Sequence, residues 1–195
     1  MQRLEECLEL AVTPDIAMRV LSDIRTVFCL SPVRSLREFR KLSSGDDPCS
    51  RFEAVTECYA DGSRDTLFAE MAVSEGTGEV RVDIKSRDLS GMEFAVRSVP
   101  HGCSMTQTLL VSCEDQASLD AYREELRFWV RSIAAYIALT AGRGIRKNVM
   151  KWFMDRIWLK LNLRERKIAL ILMAFSAAEL VLLLFMAVLW RIFGS

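Results

Sequence analysis

Hydrophobic and polar residues alternate in short runs over most of the first 113 positions of the chain. Alternation with a period of two is typical of β-strands that bury one face. The runs with this pattern are 3–12, 33–42, 51–60, 66–74, 79–87, 92–99 and 104–113. Short breaks rich in Gly, Pro, Asp and Ser separate the last six runs, and such breaks suit hairpin turns. We therefore predict an antiparallel meander of six strands, with the first run completing the sheet.

Helical periodicity appears at two places in the same part of the chain. Thr13 and Pro14 suit the start of a short helix, as a capping residue and a first-turn residue, and a second short helix or turn follows over 27–30. Between Ser118 and Ala141, apolar residues recur at steps of three and four, with charged residues on the opposite face. This pattern predicts a long amphipathic helix that ends at Gly142. Because long antiparallel strands curl, we expect the helix to cover the concave face of the sheet.

The segment 168–190 differs from the rest of the chain, because it is apolar on every side of a helix. It holds 23 residues and one charged side chain, Glu179. A helix of that length is about 34 Å long, enough to cross a hydrocarbon core of about 30 Å, so we predict a transmembrane helix. A carboxylate inside a membrane is costly, and Glu179 is therefore a candidate for an intramembrane function. It could be protonated, could pair in a homo-oligomer beside the small residues at 174 and 176–178, or could be tolerated in a single-pass anchor.

Charge is distributed unevenly, although 26 Lys and Arg balance 26 Asp and Glu over the whole chain. Residues 1–142 carry 16 basic and 23 acidic side chains, a net of −7, and residues 143–167 carry nine and two, a net of +7. A nucleic-acid-binding protein needs its basic surface on the folded domain, so we exclude that class. No secretory signal pattern is present at the N-terminus. The positive-inside rule places the basic segment and the N-terminal domain on the cytoplasmic side of the membrane.

The basic segment before the apolar helix is amphipathic over 145–164. Basic and aromatic side chains of this kind sit at the level of lipid headgroups. The membrane-interface candidates are Lys147, Lys151, Trp152, Phe153, Trp158 and Lys160. The alternative is a helix that packs on the domain and leaves its charges in solvent. The chain thus divides into a domain over 1–141, a juxtamembrane segment over 142–167 and a transmembrane helix over 168–190.

No motif for a metal, a cofactor or a catalytic reaction is found in the sequence. The six cysteines form no C-x-x-C pair and His101 is the only histidine, so a structural zinc site is not expected. The Gly76-Thr77-Gly78 sequence leads into a strand pattern, whereas a dinucleotide-binding loop leads into a helix. His101 lies in a Pro-His-Gly turn with no carboxylate or nucleophile beside it in sequence. We therefore do not expect an enzyme or a bound cofactor.

The order of elements resembles the START-like, Bet v 1-like superfamily (SRPBCC), whose members have the helix-grip fold. Leu8–Pro32 resembles the start of those proteins, in which a strand ends at a Pro-initiated helix and a second Pro closes the next helix. Leu119–Leu139 resembles their gripping helix. The likeness covers residues 3–141. It implies an α+β fold, with a curved antiparallel sheet of about seven strands around a long C-terminal helix. It also implies a cavity for an apolar ligand, without a shared catalytic signature.

The inward residues of the gripping helix and of two concave strands are candidates for lining that cavity. They are Tyr122, Leu126, Trp129, Ile133 and Tyr136 on the helix, and Phe94, Val96, Met105 and Leu109 on the strands. Ligand cavities are mostly apolar with a few polar groups, which fits this set. The alternative is that these side chains only fill the core.

These patterns leave three hypotheses about function. The first is a membrane-tethered protein that binds or transfers a hydrophobic small molecule, of lipid, isoprenoid or quinone type. The second is a domain with a filled interior that recruits another protein to the membrane. The third is a cyclase-like enzyme on an apolar substrate, which would need titratable groups such as Tyr59, Glu70, Asp83 and His101 to converge.

Overall fold

The computed structural model describes residues 1–42, 49–58, 62–74, 76–86, 89–113, 115–142, 144–161 and 163–193. The chain separates into two units, Met1–Lys160 and Leu161–Ser195. The first unit contains the sheet, the predicted gripping helix, three further helices and a 3-10 turn. The second unit contains one long helix.

The first unit is built on a sheet of seven antiparallel strands. In chain order they are β1 (Gln2–Leu10), β2 (Arg34–Lys41), β3 (Cys49–Cys58), β4 (Arg64–Ser74), β5 (Glu79–Lys85), β6 (Leu89–Val99) and β7 (Gly102–Val111). Their spatial order is β1-β7-β6-β5-β4-β3-β2, so the first strand joins the end of the meander. The predicted sheet is thereby confirmed. Both β6 and β7 begin earlier than predicted, and a register shift between Leu89 and Gly91 lets β6 bend.

Alternation along the strands follows burial closely. In β5, Val80, Val82 and Ile84 are buried and the residues between them are exposed. In β1, Leu4 and Leu10 are buried, and Glu6 is the residue that breaks the pattern on this inward side.

Three helices of the first unit follow the sequence predictions with shifted ends. They are α1 (Pro14–Leu21), α2 (Ile24–Cys29) and α3 (Gln116–Ala141). Thr13 occupies the N-cap position of α1, but its side chain makes no capping hydrogen bond there, contrary to the prediction. Asp115 caps α3 by accepting from the backbone N–H of Ser118 at 2.7 Å, so the helix starts two residues before Ser118.

The core lies between α3 and the concave face of the sheet. The inward side of α3 buries Leu119, Leu126, Trp129, Val130, Ile133 and Ile137. The indole N–H of Trp129 donates to the carbonyl oxygen of Val27 at 2.9 Å, which fastens α3 to α2. The Phe28 ring contacts the rings of both Phe52 and Trp129. Each fully buried Leu, Ile or Phe contributes roughly 1.5–3 kcal/mol of hydrophobic stabilisation, so α3 is an integral part of the fold.

The helix α4 (Ile145–Arg156) and a 3-10 turn (Trp158–Lys160) complete the first unit. The Tyr136 hydroxyl of α3 donates to Asp155 Oδ1 of α4 at 2.6 Å. Met154 of α4 and Leu159 of the 3-10 turn pack against the hydrophobic core. One side of α4 is therefore docked on the domain, an arrangement that the sequence left open for the segment 145–164.

The second unit contains α5 (Leu163–Phe193), a helix of 31 residues that includes the predicted segment 168–190. Its described large apolar side chains between Ile168 and Trp190 are 45% to 78% exposed. By length and apolar content together, none of the helices formed by the described residues qualifies as a membrane span.

Candidate ligand-binding site

The structure brings the predicted cavity residues together in one hydrophobic cluster between the sheet and α3. Eight of them are buried: Phe94, Val96, Met105, Leu109, Leu126, Trp129, Ile133 and Tyr136. Tyr122 is partly buried and packs against the same cluster. Their grouping agrees with a shared inward face, whereas their contact with a ligand stays a prediction.

A small cavity lies within this cluster and has a volume of about 10 Å³. Apolar side chains form most of its wall, together with polar residues of α3 and of the α2–β2 connection. The lining residues are Phe28, Ser31, Arg34, Leu67, Leu89, Leu109, Tyr122, Glu125 and Trp129. A space of this size holds about one water molecule. Phe94, Val96, Met105, Leu126, Ile133 and Tyr136 are outside this lining, so in this structure they fill the interior.

The polar side of the cavity is a charged pair that joins the sheet to the gripping helix. Arg34 is the first residue of β2, and Glu125 lies on the inward side of α3. Arg34 Nε lies 3.8 Å from Glu125 Oε1, and the two side chains are 20% and 8% exposed. Arg34 Nη2 donates to the Tyr122 hydroxyl at 3.3 Å. The ion pair and this hydrogen bond thus connect β2 to α3.

The contact between Arg34 and Glu125 is an ion pair without a direct hydrogen bond, because 3.8 Å exceeds hydrogen-bonding distance. Within the described part of the chain, it is the one polar interaction of the Glu125 carboxylate. Burial raises the pKa of Glu125, and the nearby Arg34 charge opposes that effect. Burial lowers the pKa of Arg34, but attraction to Glu125 and contact with Tyr122 outweigh it and raise the pKa overall. Both groups retain hydrogen-bonding capacity toward the cavity.

Sequence reasoning missed Arg34 and Glu125, although one signal was present. Glu125 follows Tyr122 by three residues and precedes Trp129 by four, so it occupies a position on the apolar side of the predicted helix. A carboxylate at such a position indicates a buried charge. No comparable signal marks Arg34, since its neighbourhood depends on how β2 meets α3.

A second polar group lies inside the core without a full set of partners. Gln107 of β7 is fully buried, and its Nε2 lies 3.3 Å from the sulfur of Met92. Its Oε1 accepts no hydrogen bond within the described structure. Gln107 does not line the small cavity, so this polar group lies elsewhere in the core.

The titratable residues considered for a cyclase-like site do not meet in the described structure. Glu70 pairs with Arg51 and Asp83 pairs with Arg81, each on a solvent-facing side of the sheet. His101 is exposed in the turn between β6 and β7. Tyr59 lies outside the described residues.

The membrane-interface candidates fall on α4 and the 3-10 turn. Trp152 is 59% exposed, and the Phe153 and Trp158 rings lie 6.2 Å apart. Lys147 is exposed, Lys151 is half-buried, and Lys160 lines an open groove of about 290 Å³ between α2, α3 and α4. Glu179 is an exposed residue of α5. Their membrane roles stay predictions.

No protein-family model matches the sequence, and no curated protein matches it. Solved structures do match its fold. The protein TTHA0849 from Thermus thermophilus aligns with a TM-score of 0.59 at 8% identity, over 72% of this chain and all of that one. A START superfamily protein from Mycobacterium smegmatis aligns with a TM-score of 0.53 at 8% identity, over 69% of this chain and 96% of that one. The fold is the START-like helix-grip fold.

A third similar structure is the di-domain ARO/CYC StfQ from the steffimycin biosynthetic pathway. It aligns with a TM-score of 0.52 at 12% identity, over 71% of this chain and 44% of that one. Identities this low establish a shared fold and no shared activity. The helix-grip prediction is therefore confirmed for the N-terminal domain.

Proposed function

We propose that the protein binds a hydrophobic small molecule with one polar end, between the sheet and α3, while α5 holds it at a membrane. The observation that carries this proposal is the Arg34–Glu125 pair beside the small apolar cavity. An isoprenoid, quinone or lipid with a hydroxyl or carbonyl end has the required chemistry. The fold supports the proposal, because similar structures include a START superfamily protein.

The argument begins with the energetics of the pair. A buried ion pair contributes little to stability, and replacing one with apolar residues is often neutral or stabilising. The pair also lacks the short hydrogen bonds that would offset the loss of hydration, since Nε and Oε1 are 3.8 Å apart. A ligand hydroxyl between these groups would supply the missing partner for both, because it accepts from Arg34 and donates to Glu125, whereas a carbonyl oxygen would accept from Arg34 alone. We therefore assign the pair to ligand recognition.

Ligand entry requires the interior to expand. The cavity holds about one water molecule, whereas an isoprenoid or lipid chain is many times larger. The part of the wall formed by Phe28 and Ser31 belongs to α2, a helix of six residues, and to its connection to β2. We propose that this wall moves away from Tyr122 and Trp129 as the apolar part of the ligand enters.

Membrane attachment is supported by the apolar surface of α5. Its described large apolar side chains are at least 45% exposed, and transfer of each one from water to an apolar medium is worth roughly 1.5–3 kcal/mol. The net charge of +7 over residues 143–167 suits a cytoplasmic membrane face. We propose that the segment 168–190 inserts into the bilayer and that the first unit lies on the cytoplasmic side. Retention in membranes after alkaline carbonate washing tests the insertion directly.

Native mass spectrometry of the full-length protein, released gently from membranes and followed by lipid analysis, tests the ligand. We expect a defined apolar adduct on the wild type and its loss from an R34M/E125L variant. An E124L/R131M variant, which changes the same residue types on the exposed side of α3, is expected to keep the adduct. A wild-type protein without an adduct would refute the assignment, and so would an adduct that is retained by the R34M/E125L variant.

The second candidate function is protein recruitment at the membrane without a ligand. The observation in its favour is that most predicted cavity residues fill the interior of this structure. Crosslinking in intact membranes distinguishes the two, because a recruitment module would yield a defined partner and no apolar adduct. A cyclase-like reaction has less support, since Glu70, Asp83 and His101 lie apart on exposed positions.

A further inference from the structure

The helix α4 has two distinct sides, and its inner side is used for docking on the domain. Asp155 accepts a hydrogen bond from the Tyr136 hydroxyl at 2.6 Å, and Met154 packs against the core. Burial raises the pKa of Tyr136, and the Asp155 carboxylate raises it further, so the tyrosine remains a hydrogen-bond donor at neutral pH. These contacts fix the orientation of α4 about its own axis.

The outer side of α4 is an apolar stripe with no partner in the described first unit. Ile145 is 85% exposed, and Val149 and Trp152 are each 59% exposed. The three residues are spaced by four and three positions, so at about 100° per residue they lie within about 60° of one another. Arg156 continues the same stripe by one further turn. Met154, on the docked side, lies roughly opposite to this stripe.

The charges beside the stripe have one sign. Residues 145–160 contain five Lys or Arg residues and one acidic residue, Asp155. Because Asp155 is bonded to Tyr136 on the docked side, the solvent-facing side of α4 is basic and apolar. Apolar side chains including a tryptophan, flanked by basic groups, suit the headgroup region of an anionic membrane.

We propose that the outer side of α4, formed by Ile145, Val149 and Trp152 with Arg146 and Arg156, binds the surface of an anionic lipid bilayer. This inference rests on the proposed membrane attachment, because residues 161 and 162 alone connect the 3-10 turn to α5. The docking of α4 then determines how the first unit faces the membrane. It places the end of α3 that carries Tyr136 beside the lipid surface.

Tryptophan quenching by brominated lipids tests the proposal on the full chain. The protein is reconstituted in nanodiscs of phosphatidylcholine with or without about one third phosphatidylglycerol. The Trp152 signal is the difference between the wild type and W152F, and the Trp190 signal is the difference between the wild type and W190F. We expect quenching of Trp152 in the anionic discs, and its loss in an R146E/R156E variant. An R97E/R131E variant, with the same change of charge on β6 and α3, is expected to retain the quenching.

The possible outcomes separate this inference from the membrane attachment on which it rests. If Trp190 is quenched and Trp152 is not, α5 is embedded and the α4 proposal is wrong. If neither is quenched, the attachment itself fails. Equal quenching of Trp152 in neutral discs would contradict an anionic surface as the ligand. Protection of Trp152 from acrylamide in native membranes, without quenching by brominated lipid, would indicate a protein partner and would also overturn the proposal.

Discussion

Replacing Arg34 with methionine leaves the Glu125 carboxylate inside the core without its counter-ion. Two unit charges 3.8 Å apart attract each other by about 4 kcal/mol at an effective dielectric constant of about 20. Instead of remaining charged, Glu125 can take up a proton, and from an ordinary pKa of 4.5 this costs about 3.4 kcal/mol at pH 7. Burial already raises the pKa of Glu125 in the wild type, so part of this penalty precedes the substitution. We expect R34M to lower the free energy of unfolding by about 2–3 kcal/mol at pH 7.

The sign of the pH dependence follows from the direction of the Glu125 shift. When a carboxyl group has a higher pKa in the folded state than in the unfolded state, the protein loses stability as the pH rises through the folded value. R34M removes the charge that opposes this shift, so the pKa of Glu125 rises further. The loss in free energy of unfolding caused by R34M should therefore be large at pH 7. At pH 5 it should shrink below about 1 kcal/mol, because protonation from the ordinary pKa then costs about 0.7 kcal/mol.

Urea unfolding of the full-length protein in a mild detergent, followed by tryptophan fluorescence at pH 7 and pH 5, measures both effects. The double variant R34M/E125L removes both charges, and we expect it to be as stable as the wild type or more stable. R131M, at an exposed position of α3, controls for the loss of an arginine. The reasoning is refuted if R34M is as stable as the wild type at pH 7, or if R34M lowers the free energy of unfolding equally at both pH values. Either result would show that Glu125 is not a buried charge held by Arg34.

Two further substitutions test the packing around the site. W129F removes the hydrogen bond to the Val27 carbonyl, and we expect it to lower the free energy of unfolding in urea by about 1–3 kcal/mol. The control is W152F at an exposed position, for which we expect no loss. Equal stability of the two variants would contradict the proposed link between α2 and α3. Gly102 has a φ of 149°, and a Cβ there would collide with the backbone carbonyl at the end of β1, so G102A should cost at least about 1 kcal/mol. Gly76 is the control, because a Cβ there would meet no atom within 4 Å. We expect G76A to be as stable as the wild type, and equal stability of G76A and G102A would contradict this reasoning.

Local patterns predicted the elements of the first unit because each pattern reports on one face of one element. The alternation of Val80, Val82 and Ile84 is sufficient to place β5 with one buried side. The three- and four-residue spacing of Leu126, Trp129 and Ile133 does the same for α3. Element ends were less accurate, since the side chains of Thr13 and Asp115 have similar capping potential and only one of them caps its helix.

The sequence also determined the chemical character of the candidate site, namely an apolar interior between a curved sheet and a long helix. It could not determine that this interior is nearly full, because cavity volume depends on how side chains from α2, the strands and α3 interlock. It likewise could not pair Arg34 with Glu125, which lie 91 positions apart in the sequence. That contact exists only because β2 and α3 meet in the folded chain.

The basic segment that contains α4 shows most clearly the difference between what the sequence determines and what the tertiary structure decides. The sequence alone identified residues 145–164 as basic and amphipathic, since the charge, hydrophobicity and spacing of the residues can be read from it directly. Which side of α4 remains available was decided by tertiary contacts, through the Tyr136–Asp155 hydrogen bond and the packing of Met154. Sequence therefore determines what each face of an element can contact, and the tertiary structure decides which of those faces is already occupied.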